Sequence, residues 1–263
     1  MTKKTPQRDY RMQSKLPLSW ILKRSLATFQ EKGIRTLIQL SVKNIRHWRY
    51  LWRDAETDKH LGVKTAGIVW RQDLDTDSSN KQYANSYKPT GAIPFKAMLS
   101  YLPENLERFT FLDFGCGRGR TLLLASAHPF KRILGVEFSV TLHAEAEENI
   151  AYYRRQNNTQ IKAQVILADA TTFPIPSEPL VIYLYDPFDA TVMKRVLDNI
   201  VASYRSYPRL IYLLYYAPVY TGLILDTGIF SEVSTPPLPP DPALSRQHRF
   251  SLFVTPENDA GGV

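Results

Sequence analysis

The fold of this chain is decided by the stretch Phe111-Leu112-Asp113-Phe114-Gly115-Cys116-Gly117-Arg118-Gly119-Arg120. Its apolar start, 111–114, predicts a buried parallel strand. Three glycines at alternate positions follow, and the apolar run 121–127 then predicts a helix. Strand, glycine turn and helix form the nucleotide-binding unit of a doubly wound α/β sheet. Glycine permits the sharp turn because it has no Cβ atom, and it lets a ligand approach the main chain.

The glycine spacing indicates which ligand to expect. A dinucleotide-binding loop has the pattern G-x-G-x-x-G, but here the third glycine, Gly119, comes one residue early. With Asp113 two residues before the first glycine, the pattern D-x-G-x-G-x-G resembles motif I of the class I S-adenosylmethionine-dependent methyltransferases. The resemblance implies that Asp113 helps to hold the amino acid part of this cofactor. It also implies that the turn lies against the methionine end, through Gly115, Cys116, Gly117 and Gly119.

Three further motifs follow in the order of that family. Residues 131–136 predict a second strand that ends in Glu137, where a carboxylate can accept hydrogen bonds from two ribose hydroxyls. Phe138 follows it and is a further candidate cofactor contact. A helix over 139–156 and a third strand over 164–168 come next, and the resemblance then places Asp169 and Ala170 near the adenine. The fourth strand, 180–185, is closed by the family's motif IV, which faces the transferred methyl group: Asp186, Pro187 and Phe188.

The resemblance covers residues 87–255, and its narrowest form is to a group of bacterial methyltransferases of unassigned substrate with some likeness to lysine methyltransferases. In that group a Tyr-x-Pro-Thr sequence closes over the methionine end of the cofactor. Here it is Tyr87-Lys88-Pro89-Thr90, which implies that Tyr87 and Thr90 contact the cofactor. The alternative is a Pro-Thr helix start with no role in ligand binding.

The predicted fold is therefore α/β, with a Rossmann-like, doubly wound sheet of seven strands that is mostly parallel and has an antiparallel last strand. The remaining elements are a helix over 190–204, a strand over 210–215, a short helix over 219–225 and strands over 230–234 and 250–254. The predicted organisation is a basic helical extension (1–60), a linker or ordered loop (61–86, with 73–80 a flexible linker), a methyltransferase domain (87–256) and a flexible tail (257–263).

Basic residues are concentrated at the N-terminus. Residues 1–53 hold 13 of the 33 Lys and Arg but two of the 25 Asp and Glu, a net charge of +11, whereas the rest of the chain carries −3. Apolar residues at helical spacing over 18–29 and 34–52 predict two amphipathic helices. Such helices can pack on the catalytic domain, lie on an anionic membrane surface or bind nucleic acid. We favour packing, with recruitment of an anionic surface or acidic substrate as a secondary effect.

Composition excludes several classes of protein. The single cysteine, Cys116, excludes a disulfide framework and a cysteine-rich zinc site, and the five histidines lack the spacing of metal ligands, so we expect no metal. No run of about 18 apolar residues predicts a membrane span, and the N-terminus lacks the pattern of a secretory signal. We expect a cytoplasmic protein that is either free in the cytoplasm or peripherally bound at the inner membrane surface.

The candidate chemistry is methyl transfer by in-line displacement, in which the protein aligns and desolvates a nucleophile. Asp186 is the best candidate for accepting its proton or holding the attacking group. Tyr185 and Phe188 would wall the site, and aromatic walls attract alkylammonium groups and the sulfonium. This favours an amine acceptor, such as a protein lysine, and Tyr183 is predicted to be a core residue. A nucleic acid or small-molecule methyltransferase and a non-catalytic S-adenosylmethionine-binding scaffold or sensor stay open, and the glycine spacing disfavours an oxidoreductase.

Overall fold

The computed structural model describes residues 54–235, 237–238 and 249–257. Its first residues, 54–61, are helical (α1). The two predicted basic helices of residues 1–53 and most of the predicted tail lie outside the described residues. No helix within the described ranges has the length and apolar content needed to cross a membrane.

Seven strands form one sheet in the order β3-β2-β1-β4-β5-β7-β6. The first five strands pair in parallel, whereas β7 pairs antiparallel with both β5 and β6. The predicted Rossmann-like sheet with a terminal antiparallel hairpin is thus confirmed. The strands are β1 (Thr110–Phe114), β2 (Arg132–Glu137), β3 (Ala163–Leu167), β4 (Leu180–Tyr185), β5 (Ile211–Tyr216), β6 (Ser231–Val233) and β7 (Phe250–Val254).

Helices cover both faces of the sheet, because successive side chains of a strand point to opposite faces. Phe111 belongs to the apolar cluster that includes side chains of α2, α3 and α4, while Leu112 belongs to the cluster that includes side chains of α5 and α6. Ser139 and Asp189 cap α4 and α5 by accepting hydrogen bonds from main-chain N–H groups of the first turn. The helices are α2 (Ala92–Leu99), α3 (Arg120–Ala125), α4 (Val140–Asn157), α5 (Ala190–Ser206) and α6 (Thr221–Leu225).

The segment between α1 and α2 is bonded to the sheet domain, so the prediction of a flexible linker over 73–80 is wrong. Asp75 accepts hydrogen bonds from the Ser139 hydroxyl (2.6 Å) and the Thr141 N–H (3.0 Å). Ser78 donates to Asp169 at 2.5 Å. The polar side chains that suggested a linker instead form hydrogen bonds with residues that follow β2 and β3. The segment therefore forms part of the edge of the sheet at which β1 to β5 end.

Candidate active site

The glycine turn after β1 combines left-handed backbone with close packing. Gly117 has φ 53°, and a Cβ atom built on it would lie 2.0 Å from the ring of Tyr87. Gly119 has φ 80°, and its Cβ atom would lie 3.2 Å from that of Ala146 in α4. Only glycine combines this backbone with this lack of space. The space next to Gly117, where the sequence predicts the cofactor, is thus occupied by the ring of Tyr87.

Glu137, at the end of β2, is a buried carboxylate held by main-chain donors. Its Oε2 accepts from the Gly117 N–H (2.8 Å), and its Oε1 accepts from the N–H groups of Phe138 (3.0 Å) and Ser139 (2.9 Å). Burial raises its pKa, and these main-chain hydrogen bonds act in the opposite direction. A carboxylate accepts about four hydrogen bonds, so Oε2 retains capacity for a ligand hydroxyl.

Asp113, in β1, is the second buried carboxylate of the site. It accepts a short hydrogen bond from the Thr121 hydroxyl at the start of α3. Burial, together with the nearby charge of Glu137, raises its pKa to about 7, although the Thr121 bond works against this shift. Its charge is therefore unfavourable in the free protein, and a cationic ligand group would stabilise it.

Two adjoining cavities run along this edge of the sheet and share Gly115, Phe138 and Pro187 as a common wall. Predicted cofactor residues divide between them. The first cavity is lined by Tyr87, Thr90, Asp113, Cys116 and Glu137 among others. The second is lined by Asp169, Ala170 and Phe188 among others. The structure thus places most of the predicted cofactor residues, but neither Gly117 nor Gly119, on the walls of the cleft that these two cavities form.

Asp169 lies at the second cavity with its acceptor capacity already filled. Oδ2 accepts from the Ser78 hydroxyl (2.5 Å) and the Asn80 amide (2.8 Å), and Oδ1 accepts from the N–H and hydroxyl of Thr171. Burial alone would raise its pKa, but these hydrogen bonds outweigh burial and lower it. Asp169 therefore shapes the cavity wall by fixing the 78–80 segment, and a ligand must displace one of these donors to bond to it.

Asp186 follows β4 in left-handed backbone, with φ 40°. Such a conformation is uncommon for a residue other than glycine and concentrates at functional sites. Its carbonyl accepts from the Asn85 amide (2.8 Å), and its Oδ1 accepts a long bond from the Tyr215 hydroxyl (3.4 Å). Burial raises the pKa of the carboxyl, while the Tyr215 bond and the charge of Lys88 act in the opposite direction.

The tyrosines of β4 have different environments. Tyr183 is buried in the core, and its hydroxyl pairs with that of Thr90 at 2.7 Å, which confirms the predicted core position. Its side chain also lines the first cavity. Tyr185 lines the same cavity and packs on Tyr216, with ring centroids 4.7 Å apart. Tyr216 itself is buried and lines neither cavity.

Cys116 is a packing residue of the turn. Its thiol is buried, and burial raises its pKa well above the ordinary range, so it is a poor nucleophile. A Cβ atom on Gly135 of β2 would lie 2.6 Å from its sulfur, which shows how tightly the thiol is enclosed. No group of three or more His, Cys, Asp or Glu side chains is arranged to hold a metal ion anywhere in the described ranges.

Sequence reasoning missed a buried ion-pair network behind the turn. Arg120, which is 1% exposed, donates from Nη1 to Asp54 and from Nη2 to Asp58 (2.9 Å). Its Nε donates to the hydroxyl of Thr65 (2.6 Å). The one available signal was an arginine at the position where a dinucleotide-binding loop has its third glycine. Its partners lie 55 to 66 residues earlier, in a region without a recognisable motif.

Comparison with known proteins gives one family match. Residues 112–211 match the family model described as a methyltransferase domain. This segment contains the glycine turn, Glu137 and Asp186. A search of curated proteins returned no match.

Several solved structures resemble the chain in architecture. Magnesium protoporphyrin IX methyltransferase from Synechocystis PCC 6803 is 15% identical, with a TM-score of 0.43 over 62% of this chain and 76% of that one. A putative methylase from Haemophilus influenzae is 16% identical, with a TM-score of 0.43 over 62% and 96%. Human N-acetylserotonin methyltransferase is 11% identical, with a TM-score of 0.42 over 63% and 52%. These values are too low to indicate a substrate.

Proposed function

We propose, from the premise that residues 112–211 form a methyltransferase domain, that this enzyme transfers a methyl group from S-adenosylmethionine to an amine acceptor. The cofactor supplies a methyl group already activated on a sulfonium. The protein's contribution is to bind the cofactor, align the acceptor and exclude water. The observation that carries the proposal is the pair of adjoining cavities with Asp113 and Glu137 on one side of their shared wall and Asp169 and Ala170 on the other.

The cleft supports a definite orientation of the cofactor. Asp113 is a buried acid whose charge needs a cationic partner, so it suits the α-ammonium of the amino acid part. Glu137 retains acceptor capacity in the first cavity, next to the shared-wall residue Phe138, which suits a ribose hydroxyl. The second cavity has apolar walls from Ala168, Ala170 and Phe188, which suit a flat, apolar adenine ring.

The acceptor side supports an amine. An amine attacks only after it loses a proton, and Asp186 lies at the end of β4 with its pKa raised by burial, closer to the working pH of a general base. The ring of Tyr185, the preceding residue, forms part of the wall of the first cavity, and an aromatic wall attracts alkylammonium groups. A lysine side chain of a protein combines the amine with an aliphatic stem that such a wall can contact.

The test is to incubate the full-length protein and its Asp186→Asn variant with methyl-labelled S-adenosylmethionine and fractionated cell lysate. We expect label in a protein fraction with the wild type and a strongly reduced amount with the variant. Alkali-labile label indicates a carboxyl methyl ester, whereas alkali-stable label that co-migrates with methyllysine after acid hydrolysis of the protein identifies a methylated amine. A protein that binds the cofactor but labels no fraction would contradict the proposal and favour a sensor or scaffold.

We also propose that residues 1–53, with their net charge of +11, bring the enzyme to an anionic surface or an acidic substrate. Binding to vesicles that contain anionic lipid, compared with neutral vesicles, tests the membrane option. Binding to nucleic acid would instead occur without lipid and fall steeply with salt. A protein that binds neither vesicles nor polyanions would contradict recruitment by charge.

A further inference from the structure

We propose that Asp58, Thr65 and Arg120 are positioning residues that seat the ring of Tyr87 on Gly117 and thereby shape the amino acid half of the cofactor site. The inference rests on the proposed function, because it assigns part of the cleft to the amino acid half of S-adenosylmethionine. It adds Asp58 and Thr65, which line neither cavity, and Arg120, which borders the first, as residues that act on the ligand through Tyr87.

Thr65 is the hub of this arrangement and is fully buried. Its N–H (2.7 Å) and its hydroxyl (2.5 Å) both donate to the carboxylate of Asp58. The same hydroxyl accepts from Nε of Arg120, and its carbonyl accepts from the Tyr87 hydroxyl at 2.7 Å. The side chain and the carbonyl of Thr65 are therefore both hydrogen-bonded. Because Asp58 and Arg120 fix Thr65, Thr65 in turn fixes the hydroxyl end of Tyr87.

Arg120 fixes the hub to the glycine turn. It is the first residue of α3, directly after Gly119, and its guanidinium is buried between Asp54 and Asp58. Because an unpaired buried charge is costly, this ion pair resists displacement. The Gly67 N–H also donates to Asp54 (2.9 Å), which ties the 65–67 loop to the same cluster.

Tyr87 is the residue through which the network reaches the ligand. Burial raises its pKa far above its ordinary value, so its hydroxyl stays protonated and can donate to Thr65. The Arg118 guanidinium lies 5.5 Å from the centre of its ring and donates to the carbonyl of Ala66 at 2.6 Å. The ring contacts Gly117, and Tyr87 lines the first cavity, whereas the residues lining the second cavity do not include it.

This asymmetry between the cavities makes the inference testable with two ligands. S-adenosylhomocysteine has the amino acid half, whereas 5′-methylthioadenosine lacks it and keeps the ribose and adenine. Asp58→Asn and Tyr87→Phe each remove hydrogen bonds of the network while keeping side-chain shape. We expect each variant to bind S-adenosylhomocysteine about tenfold more weakly, the equivalent of one or two net hydrogen bonds. Affinity for 5′-methylthioadenosine should stay within about twofold, since its ribose and adenine are assigned to Glu137 and the second cavity, and neither variant changes these residues.

The design separates positioning from general destabilisation. Arg120→Ala risks unfolding, so Asp58→Asn, at a partly exposed position, and Tyr87→Phe carry the test. Glu178→Gln is the matched control, because it breaks a contact with Arg132 at the start of β2, at the opposite edge of the sheet. It should lower the melting temperature without changing the ratio of the two affinities. The double variant, Asp58→Asn with Tyr87→Phe, should bind S-adenosylhomocysteine about as tightly as the weaker of the two single variants. The two effects should not add, because both changes act on one network.

Calorimetric titration of all five proteins decides the matter. Selective loss of S-adenosylhomocysteine affinity in the network variants, with additivity absent in the double variant, supports the inference. Equal weakening of both ligands, or unchanged affinity for both, overturns it while the proposed function stands. A wild-type protein that binds neither ligand overturns the proposed function itself.

Discussion

A buried arginine lies at each end of the parallel strands, one where the strands begin and one where they end. The two arginines are held by different kinds of partner. Arg209, just before β5, donates to the carbonyls of Pro176, Glu178, Ser203 and Tyr207, which lie 2 to 33 residues away. Arg120, at the edge where β1 to β5 end, binds carboxylates of a segment more than 60 residues earlier. Arg209 donates to main-chain carbonyls close to it in the chain and so stabilises the fold locally. Arg120 joins a distant segment to the candidate active site.

The acidic residues differ between the edges in the same way. Glu178, near the start of β4, has its pKa lowered because hydrogen bonds from Thr110 and Arg132 outweigh its burial. At the other edge, burial raises the pKa values of Asp113, Glu137 and Asp186. Perturbed acids in a cleft indicate a functional site. Glu178 is thus satisfied by its own partners, whereas the charge of Asp113 is disfavoured by burial and would be stabilised by a cationic ligand group.

The largest expected effect is on catalysis at the site edge. Asp186→Asn removes the proposed proton acceptor but keeps the side-chain size, so we expect kcat for the acceptor to fall by about a hundred- to ten-thousandfold. Cofactor affinity should change little, because Asp186 lies outside the wall that the two cavities share. Steady-state rates and calorimetric titration check the two statements. A variant with full activity would remove Asp186 from the mechanism.

The next effect concerns the turn. Gly117→Val places a branched side chain at φ 53° and into the ring of Tyr87. Because the left-handed backbone alone costs about 1–2 kcal/mol and the ring must move, we expect cofactor affinity to fall by about a hundredfold. Gly222→Ala in α6 is the control, since a Cβ atom there has no neighbour within 4 Å. Equal affinity of the valine variant and the wild type would contradict the packing at this turn.

Glu137→Gln should have a smaller effect on the same measurement. The change removes the charge that we propose bonds to the cofactor ribose, and it leaves an amide N–H facing main-chain donors. We expect a ten- to hundredfold loss of affinity, equivalent to about 1.5–3 kcal/mol. Glu178→Gln at the opposite edge should leave the affinity unchanged. A glutamine variant that binds as tightly as the wild type would refute the ribose assignment.

The smallest expected effect is the pH dependence of binding. With a pKa of about 7, Asp113 is mostly protonated at pH 6 and mostly ionised at pH 8. Because the cofactor ammonium prefers the carboxylate, we expect affinity to rise about tenfold over this interval. In Asp113→Asn this rise should disappear. A wild-type affinity independent of pH would contradict the pairing.

The effect of pH on the stability of the free protein through Asp113 should be opposite to its effect on cofactor affinity: stability should fall as pH rises. Its folded pKa lies above the value of about 3.9 in the unfolded chain, so its contribution to stability is present below that pH and lost as pH rises towards 7. Asp113→Asn keeps an acceptor for Thr121 and removes the buried charge. We therefore expect a variant with a higher melting temperature than the wild type at pH 8.

The sheet and its acids were predictable from sequence because their signals are local. A strand such as β4 is a short apolar run bounded by turn residues. Once the strands are predicted, the positions of Glu137 at the end of β2 and Asp186 directly after β4 are predicted with them. The contacts of Tyr87 with Gly117 and of Arg120 with Asp54 join segments far apart in the chain, and no local pattern encodes them. For the same reason the 73–80 segment was wrongly predicted to be a flexible linker.

The docking of the segment before β1 also has a consequence for the order of folding. Residues 54–90 are synthesised before the strands of the sheet, and their partners come later in the chain: Asp54 contacts Arg120 and Asn85 bonds to Asp186, 101 residues further on. Contacts between distant residues form slowly because the intervening chain must first be ordered. We therefore expect the sheet to form before this segment docks. In refolding experiments, the ability to bind cofactor should lag behind the recovery of secondary structure.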